Sequence, residues 1–354
     1  MRLKEFAVPA EDILFLDRQA VTACLNRIDL LGVTEQALLD QAAGNTLIPA
    51  EGYLAWDNST GAYSRAIAML GALRRSGGPV YGMKLINASV GNPAKGLERA
   101  GGLSFLFDPE TARPVLIAEA GYLSAMRTAA YTMVSLRHLG PQRWDAVSLI
   151  GTGTLARAHV DLLAAAFPEV RRVTVTDISA GRAAEFASWA AQEHPRLPVT
   201  VAGSAREALA AAPVTITVTT SSESYIPAGW IRPGSFLAHV SLADLTEEVF
   251  LGAEAIYGDD LELIVDNPRR ILGRLLADGA VTLPSIREAP RTGFGRAVTG
   301  TLGQVLAGTA PSIRPGDGYV VSNPFGMSIL DVALIDAVYQ AALGQETGQR
   351  LRLV

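Results

Sequence analysis

Cysteine is almost absent: Cys24 is the only one in 354 residues. An intramolecular disulfide is therefore excluded, and so is a zinc site built on paired cysteines. Histidine is scarce as well. His138, His159, His194 and His239 are the four, and none has the spacing of a helical His-Glu-x-x-His metal motif. No apolar run approaches the roughly 20 residues of a membrane-spanning helix. The opening stretch, Met-Arg-Leu-Lys-Glu-Phe-Ala-Val-Pro, lacks the apolar segment of a secretion signal. There is no dense block of Lys and Arg, and the net charge is −5. Nucleic acid and acidic membrane surfaces are not expected partners. A small anionic substrate stays open, because a few local cations suffice to bind one. The expectation from these absences is a soluble, cytoplasmic chain.

What is present reads as a globular protein, with 49% hydrophobic and 18% charged residues. A chain of this length normally forms more than one core, so two domains are expected. From Trp144 onward short β-rich runs alternate with Ala-rich helical ones. Strands are expected at 146–150, 173–176, 198–201, 214–219, 236–240 and 255–257, with helices at 154–167, 179–193 and 205–211 between them. That alternation implies right-handed crossovers and an α/β fold with a parallel sheet. The first 140 residues differ. Helices are expected at 20–32 and 35–47, strands at 81–88 and 102–108, and a hairpin turn at Asp108-Pro-Glu-Thr-Ala-Arg-Pro. Ser124 is placed to cap a helix ending at Gly140-Pro141. Residues 328–343 read as an amphipathic helix.

Gly151-Thr-Gly153-Thr-Leu155-Ala156 follows an expected strand and opens an expected helix. Gly151 permits the tight turn, Gly153 lets backbone approach a pyrophosphate, and Ala156 lets helix pack close on strand. The free N–H groups at the helix start then hold the phosphates. A second strand ends at Asp177, whose carboxylate suits the adenosine ribose hydroxyls and repels a 2′-phosphate. The cofactor expected is NAD, held by Gly151, Thr152, Gly153, Thr154, Leu155, Asp177, Arg182 and Thr219. Metal is not expected.

Three further residues stand out. Lys84 lies mid-strand in Val80-Tyr-Gly-Met-Lys-Leu-Ile. A lysine there either binds a substrate carboxylate, acts as an acid or base, or sits on an edge strand with its ammonium in water. Arg127 falls in the first turn of the helix that Ser124 would cap, as an anion site or as an ion-paired arginine. Asp244 follows a strand in His239-Val-Ser-Leu-Ala-Asp-Leu-Thr, where it either moves a proton or caps the next helix. His239 reads as a packed strand residue.

Four stretches together resemble the ornithine cyclodeaminase/μ-crystallin family. They are Gly82-Met-Lys-Leu-Ile, Glu119-Ala-Gly-Tyr-Leu-Ser-Ala-Met-Arg-Thr-Ala-Ala130, Gly151-Thr-Gly-Thr and Gly326-Met-Ser-Ile-Leu-Asp-Val-Ala-Leu-Ile-Asp-Ala-Val-Tyr339. The resemblance implies a Rossmann domain at 131–319, inserted into a discontinuous α+β substrate and dimerisation domain at 1–130 and 320–354. It implies that Lys84 and Arg127 hold a substrate α-carboxylate, that Lys84 and Asp244 are catalytic, and that the protein is a homodimer acting on a small amino-acid substrate. His239-Val-Ser-Leu-Ala-Asp-Leu, Arg65-Ala-Ile-Ala-Met and Gly96-Leu-Glu-Arg-Ala are closer to the branch that makes 2,3-diaminopropionate for siderophores and peptide antibiotics. That branch oxidises the secondary amine N-(2-amino-2-carboxyethyl)-L-glutamate with NAD and hydrolyses the imine. A cyclodeaminase, a ketimine or imine reductase, and a crystallin-type nucleotide binder without turnover are the alternatives. The family's upstream carboxylate-binding arginine has no counterpart in Leu47-Ile-Pro-Ala-Glu-Gly-Tyr-Leu, and Arg65 is the candidate substitute. Residues 266–290 match nothing in the family pattern.

Overall fold

The computed structural model describes residues 12–267, 270–283 and 296–353. The chain divides into two units, Met1–Arg127 with Ser328–Val354, and Thr128–Met327.

The first unit opens with β1 (Asp12–Leu16), followed by α1 (Arg18–Leu25) and α2 (Leu30–Ala42). The single helix expected at 20–32 is broken at 26–29. Asp29 leaves the helical conformation and its carboxylate accepts the Gly32 N–H at 3.0 Å, which starts α2 afresh. The next helix therefore ends at Ala42 rather than 47, and Thr46–Leu47 forms a short strand, β2. Then come β3 (Gly52–Asp57), β4 (Tyr63–Arg75), β5 (Gly78–Ser89), β6 (Ala100–Phe107) and β7 (Pro114–Glu119). β4 to β7 are consecutive antiparallel neighbours, with β2 and β3 beside β4 and β1 parallel beside β7. The turn expected at 108–114 joins β6 to β7.

The helix α3 (Gly121–Leu139) leads into the alternating segment. It begins three residues before Ser124, because Glu119 supplies the cap: its carboxylate accepts the Tyr122 N–H at 3.0 Å. Ser124 is thus inside the helix, and Arg127 lies in its second turn rather than its first.

The second unit contains β8 (Ala146–Ile150), α4 (Thr154–Ala166), β9 (Arg172–Thr176), α5 (Ala180–Glu193), β10 (Val199–Val201), α6 (Ala205–Ala211), β11 (Val214–Thr217), β12 (Ser235–His239), α7 (Glu247–Gly252) and β13 (Ala255–Gly258). After these come α8 (Leu261–Val265), α9 (Ile271–Ala277), β14 (Val281–Thr282), β15 (Arg296–Ala297), β16 (Gly300–Thr301), α10 (Leu302–Leu306) and β17 (Tyr319–Ser322). The main sheet runs β10-β9-β8-β11-β12-β17-β13-β16, and every adjacent pair is parallel. β17 enters between β12 and β13, so residues 320–327 lie with this unit. The strands β8, β11, β12 and β13 are buried at every position, as strands covered on both faces must be. Part of the unmatched stretch 266–290 is α9 and β14, while 268–269 and 284–290 lie outside the described residues.

The chain returns through α11 (Ser328–Leu343) to β18 (Gln349–Arg352), which pairs antiparallel with β1. The expected amphipathic pattern of α11 does not hold: residues 328–335 are buried without a break. The helix lies against the sheet at paired glycines. Gly71 faces Gly82 across β4 and β5, and a Cβ on Gly82 would come within 3.3 Å of Val332. That close approach brings Asp331 down onto the sheet. Among the described residues no helix is long and apolar enough to cross a membrane.

Candidate active site

In the second unit, strand order reverses between β8 and β11, the place where open α/β sheets receive their ligands. Gly151 follows β8 with φ +99°, and a Cβ there would lie 2.9 Å from the Val218 carbonyl oxygen. Only glycine fits both constraints. Gly153 is the N-cap of α4 and supplies no side-chain cap, so the N–H groups of the first helical turn remain for an anion. The Arg182 guanidinium overhangs this turn, its terminal nitrogen 3.9 Å from where a Gly153 Cβ would stand. Asp177 accepts the Thr152 N–H at 3.0 Å and the Thr152 hydroxyl at 2.8 Å through one oxygen, and the Ser179 N–H at 3.0 Å through the other. It braces the glycine turn from the loop that follows β9. Ile178, fully exposed beside it, offers an apolar face. These residues fit a dinucleotide: a glycine-only turn, an open helix start, a cation beside it and a carboxylate at the end of the second strand. Gly151→Ala is expected to weaken NADH binding at least about tenfold and to cost about 1–3 kcal/mol of stability, from the strained backbone and the close carbonyl. Fluorescence titration with NADH and a denaturant melt measure the two effects.

Asp244 is fully buried beyond the end of β12. It does not cap α7, whose N-cap is Thr246. Hydroxyls surround it instead. Thr219 donates at 2.5 Å to one carboxylate oxygen, Ser241 donates to the other, and Tyr225 bonds the side chain as well. The Ser241 hydroxyl is in turn 2.7 Å from that of Thr217. Burial raises the Asp244 pKa above the usual carboxylate range, against the opposing pull of the Thr219 and Tyr225 hydroxyls. A carboxyl poised this way suits proton transfer. Thr219, expected on the cofactor, spends its hydroxyl on Asp244. Ser241 and Tyr225 were not anticipated, since neither carries a local signature.

In the first unit Lys84 is 1% exposed, so the edge-strand alternative is excluded. Its ammonium donates to Asp331 at 2.7 Å and to the Ser124 hydroxyl at 3.3 Å. The other Asp331 oxygen accepts Nε of Arg127 at 3.0 Å. One carboxylate therefore joins two cations, and the triad keeps a net positive charge. Burial, with Arg127 next, pushes the Lys84 pKa down to about 8, while Asp331 and Glu51 oppose that fall. Arg127 is thus ion-paired, as its alternative reading had it, yet the surplus charge still suits an arriving carboxylate. Asp331 lies within the stretch Gly326–Tyr339, where nothing local marks it as a partner of Lys84 and Arg127.

Arg65 lies on the Lys84 face of the sheet, opposite Ala88, and Asp331 is not its partner. It does not join the triad. His239 is a packed residue as expected: it is buried edge-on to Phe250, takes Asn323 at 3.1 Å, and is held to a pKa of about 3 by burial. Among the described residues no group of His, Cys, Asp or Glu could hold a metal ion.

Known proteins match this architecture over nearly its whole length. The model of the ornithine cyclodeaminase/mu-crystallin family matches residues 12–346. N-((2S)-2-amino-2-carboxyethyl)-L-glutamate dehydrogenase of Staphylococcus aureus is 28% identical over 319 residues, 90% of this chain and 91% of that one. The crystal structure of CmnK is 53% identical with a TM-score of 0.90, covering 97% of this chain and 99% of the other. The Thermococcus litoralis Δ(1)-pyrroline-2-carboxylate reductase in complex with NADH and L-proline aligns with a TM-score of 0.84 at 21% identity, over 96% of this chain and 100% of that one.

Proposed function

This chain belongs to the ornithine cyclodeaminase/mu-crystallin family, and from that premise we propose that it oxidises N-(2-amino-2-carboxyethyl)-L-glutamate to 2,3-diaminopropionate and 2-oxoglutarate. It is an oxidoreductase that uses NAD. The finer reading rests on the Lys84–Asp331–Arg127 triad, a buried site of surplus positive charge matched to a carboxylate beside the reacting carbon, together with the likeness to the staphylococcal dehydrogenase. The product serves the assembly of siderophores or peptide antibiotics.

NAD, when bound, supplies the two-electron oxidation of the glutamate Cα–N bond. The chain supplies orientation. Lys84 and Arg127 fix the α-carboxylate, and with it the direction of the neighbouring C–H. Orientation of this kind is worth several kcal/mol of barrier, about 7–11 in the best intramolecular cases. Asp244 takes the proton of the water that adds to the imine carbon, and the carbinolamine then splits to ketone and primary amine. Overall, the secondary amine, NAD and one water give 2,3-diaminopropionate, 2-oxoglutarate, NADH and a proton.

The test is incubation with NAD and a panel of amino acids and N-linked bis-amino acids, following NADH absorbance and product masses. NADH formed in step with 2-oxoglutarate supports the reading. Proline formed from ornithine without net NADH overturns it in favour of a cyclodeaminase.

We also assign the chain as a homodimer. β3 is exposed at every position, and Leu54, Trp56, Leu47 and Leu70 stand on one face of the sheet, 43–63% exposed. Exposed apolar clusters of this kind mark association surfaces. Light scattering is expected to give twice the chain mass, and Leu54→Asp with Trp56→Glu to give the monomer mass.

A further inference from the structure

Asp244 has no surface open to solvent, yet the reaction releases a proton in each turnover. A base that takes that proton must pass it on before it can act again. The three hydroxyls on its carboxylate lead to different places. Ser241 is buried and turns inward, 2.7 Å from the buried Thr217 hydroxyl. Thr219 is half-buried, and its oxygen is taken by the Ser221 N–H at 3.1 Å. Tyr225 is 36% exposed. Of the three, it is the one that joins the buried carboxylate to an exposed position.

The backbone holds Tyr225 in that place. Its N–H and that of Ile226 both donate to the Asp244 carbonyl, at 3.0 and 2.9 Å, and Ile226 pairs with Leu245 as in a parallel ladder. The Thr246 N–H returns to the Ile226 carbonyl at 3.0 Å. Ile226 and Leu245 are both fully buried in the core of this unit. The segment 225–226 is thus fastened alongside 244–246, and the phenol hydroxyl meets the carboxylate of the residue whose carbonyl anchors it. Burial, and after it the Asp244 charge, raises the Tyr225 pKa, so the phenol keeps its proton at neutral pH. A hydroxyl that stays neutral still conducts, because it can accept one proton while donating another.

We propose that Tyr225 is the proton exit of the site, carrying to solvent the proton that Asp244 has taken up. The inference rests on Asp244 being the base in the reaction proposed above. Once protonated, Asp244 donates to the phenol oxygen. Its O–H bond breaks as a new O–H bond forms on Tyr225, and the phenol's original proton leaves to a water molecule. One proton enters the pair and one leaves, no electron is transferred, and Asp244 is a carboxylate again. Rotation of the phenol hydroxyl restores the first hydrogen bond.

The experiment compares wild type, Tyr225→Phe and Asp244→Asn at low buffer concentration, with and without imidazole as a small diffusible proton carrier. NADH formation is followed with whichever compound of the amino-acid panel is oxidised. Tyr225→Phe, which keeps the ring, is expected to lower kcat at least about tenfold, with KM and NADH affinity within a few-fold. Imidazole should restore that rate in proportion to its concentration and leave wild type unchanged. A second measurement needs no turnover. Infrared spectroscopy after a pH jump follows protonation of Asp244 through the carboxyl C=O stretch that is lost in Asp244→Asn. Tyr225→Phe should slow this protonation at least about tenfold, and imidazole should restore it. Protonation as fast as in wild type overturns the exit without any substrate. With Asp244→Asn impaired, a Tyr225→Phe variant that keeps wild-type kcat, or whose loss imidazole leaves untouched, overturns it too. Slow, imidazole-sensitive protonation upholds the exit: beside a fully active Asp244→Asn it overturns Asp244 as the base, and with no turnover of any compound it overturns the reaction.

Discussion

Asp244→Asn is expected to lower turnover by about 10²- to 10⁴-fold, the usual worth of a positioned acid or base. The exchange is nearly isosteric, and the cradle can adapt to it. Thr219 and Ser241 donate to different carboxylate oxygens; in the amide, the hydroxyl that meets the new nitrogen rotates to accept from it, and the other goes on donating to the remaining oxygen. NADH affinity and melting temperature should therefore stay close to wild type while kcat collapses. Burial lifts the Asp244 pKa, so the acidic limb of the pH–rate profile should fall above the usual carboxylate range and vanish in Asp244→Asn. Steady-state kinetics over pH 5–9, with a parallel NADH titration, measure all of this. Unchanged turnover in a variant that still binds NADH would show that Asp244 moves no proton in the reaction.

Asp331→Asn should be the most damaging single change for stability. Removing a carboxylate that joins two buried cations costs about 3–5 kcal/mol, because both charges are left without their partner. Urea unfolding at pH 7 reads that loss. The pH dependence carries the finer test. Lys84 is held near 8 in the folded protein, below its ordinary 10.5, by burial and by Arg127, with Asp331 and Glu51 opposing. Between those two values the unfolded chain keeps a proton that the folded chain has released. Stability from this group therefore rises with pH across that window. Without Asp331 the Lys84 pKa falls further. The deficit of Asp331→Asn is then largest where Lys84 is still charged and shrinks as pH rises past the new pKa. Substrate KM follows the same group. In wild type it should be flat below about pH 8 and climb above, as the ammonium that binds carboxylate is lost, and in Asp331→Asn the climb should begin at least about one pH unit lower. Superimposable KM profiles for the two proteins would remove Lys84 from carboxylate recognition.

By itself the sequence determined the dinucleotide-binding half. Strands and helices there alternate within short contiguous windows, and the glycine turn joins one pair of them, so residue order alone contains the information. Gly151 illustrates this: its left-handed φ and the nearby Val218 carbonyl are consequences of a local turn that only glycine makes. Lys84, Arg127 and Asp244 were legible as singular residues, but their partners were not. Asp331 lies 247 residues from Lys84 and 204 from Arg127 in the chain, and no periodicity spans such separations. Ser241 and Thr219 meet at Asp244 because neighbouring parallel strands end side by side. Local preference was also overruled where a longer-range partner did better. Glu119 rather than Ser124 starts α3, which moves Arg127 out of the first turn, and α11 is enclosed by the sheet where its own pattern read as half-exposed. The tertiary structure alone decided which charges meet, because Coulomb and hydrogen-bond energies depend on distance in space, and that distance is fixed only when the sheets are assembled.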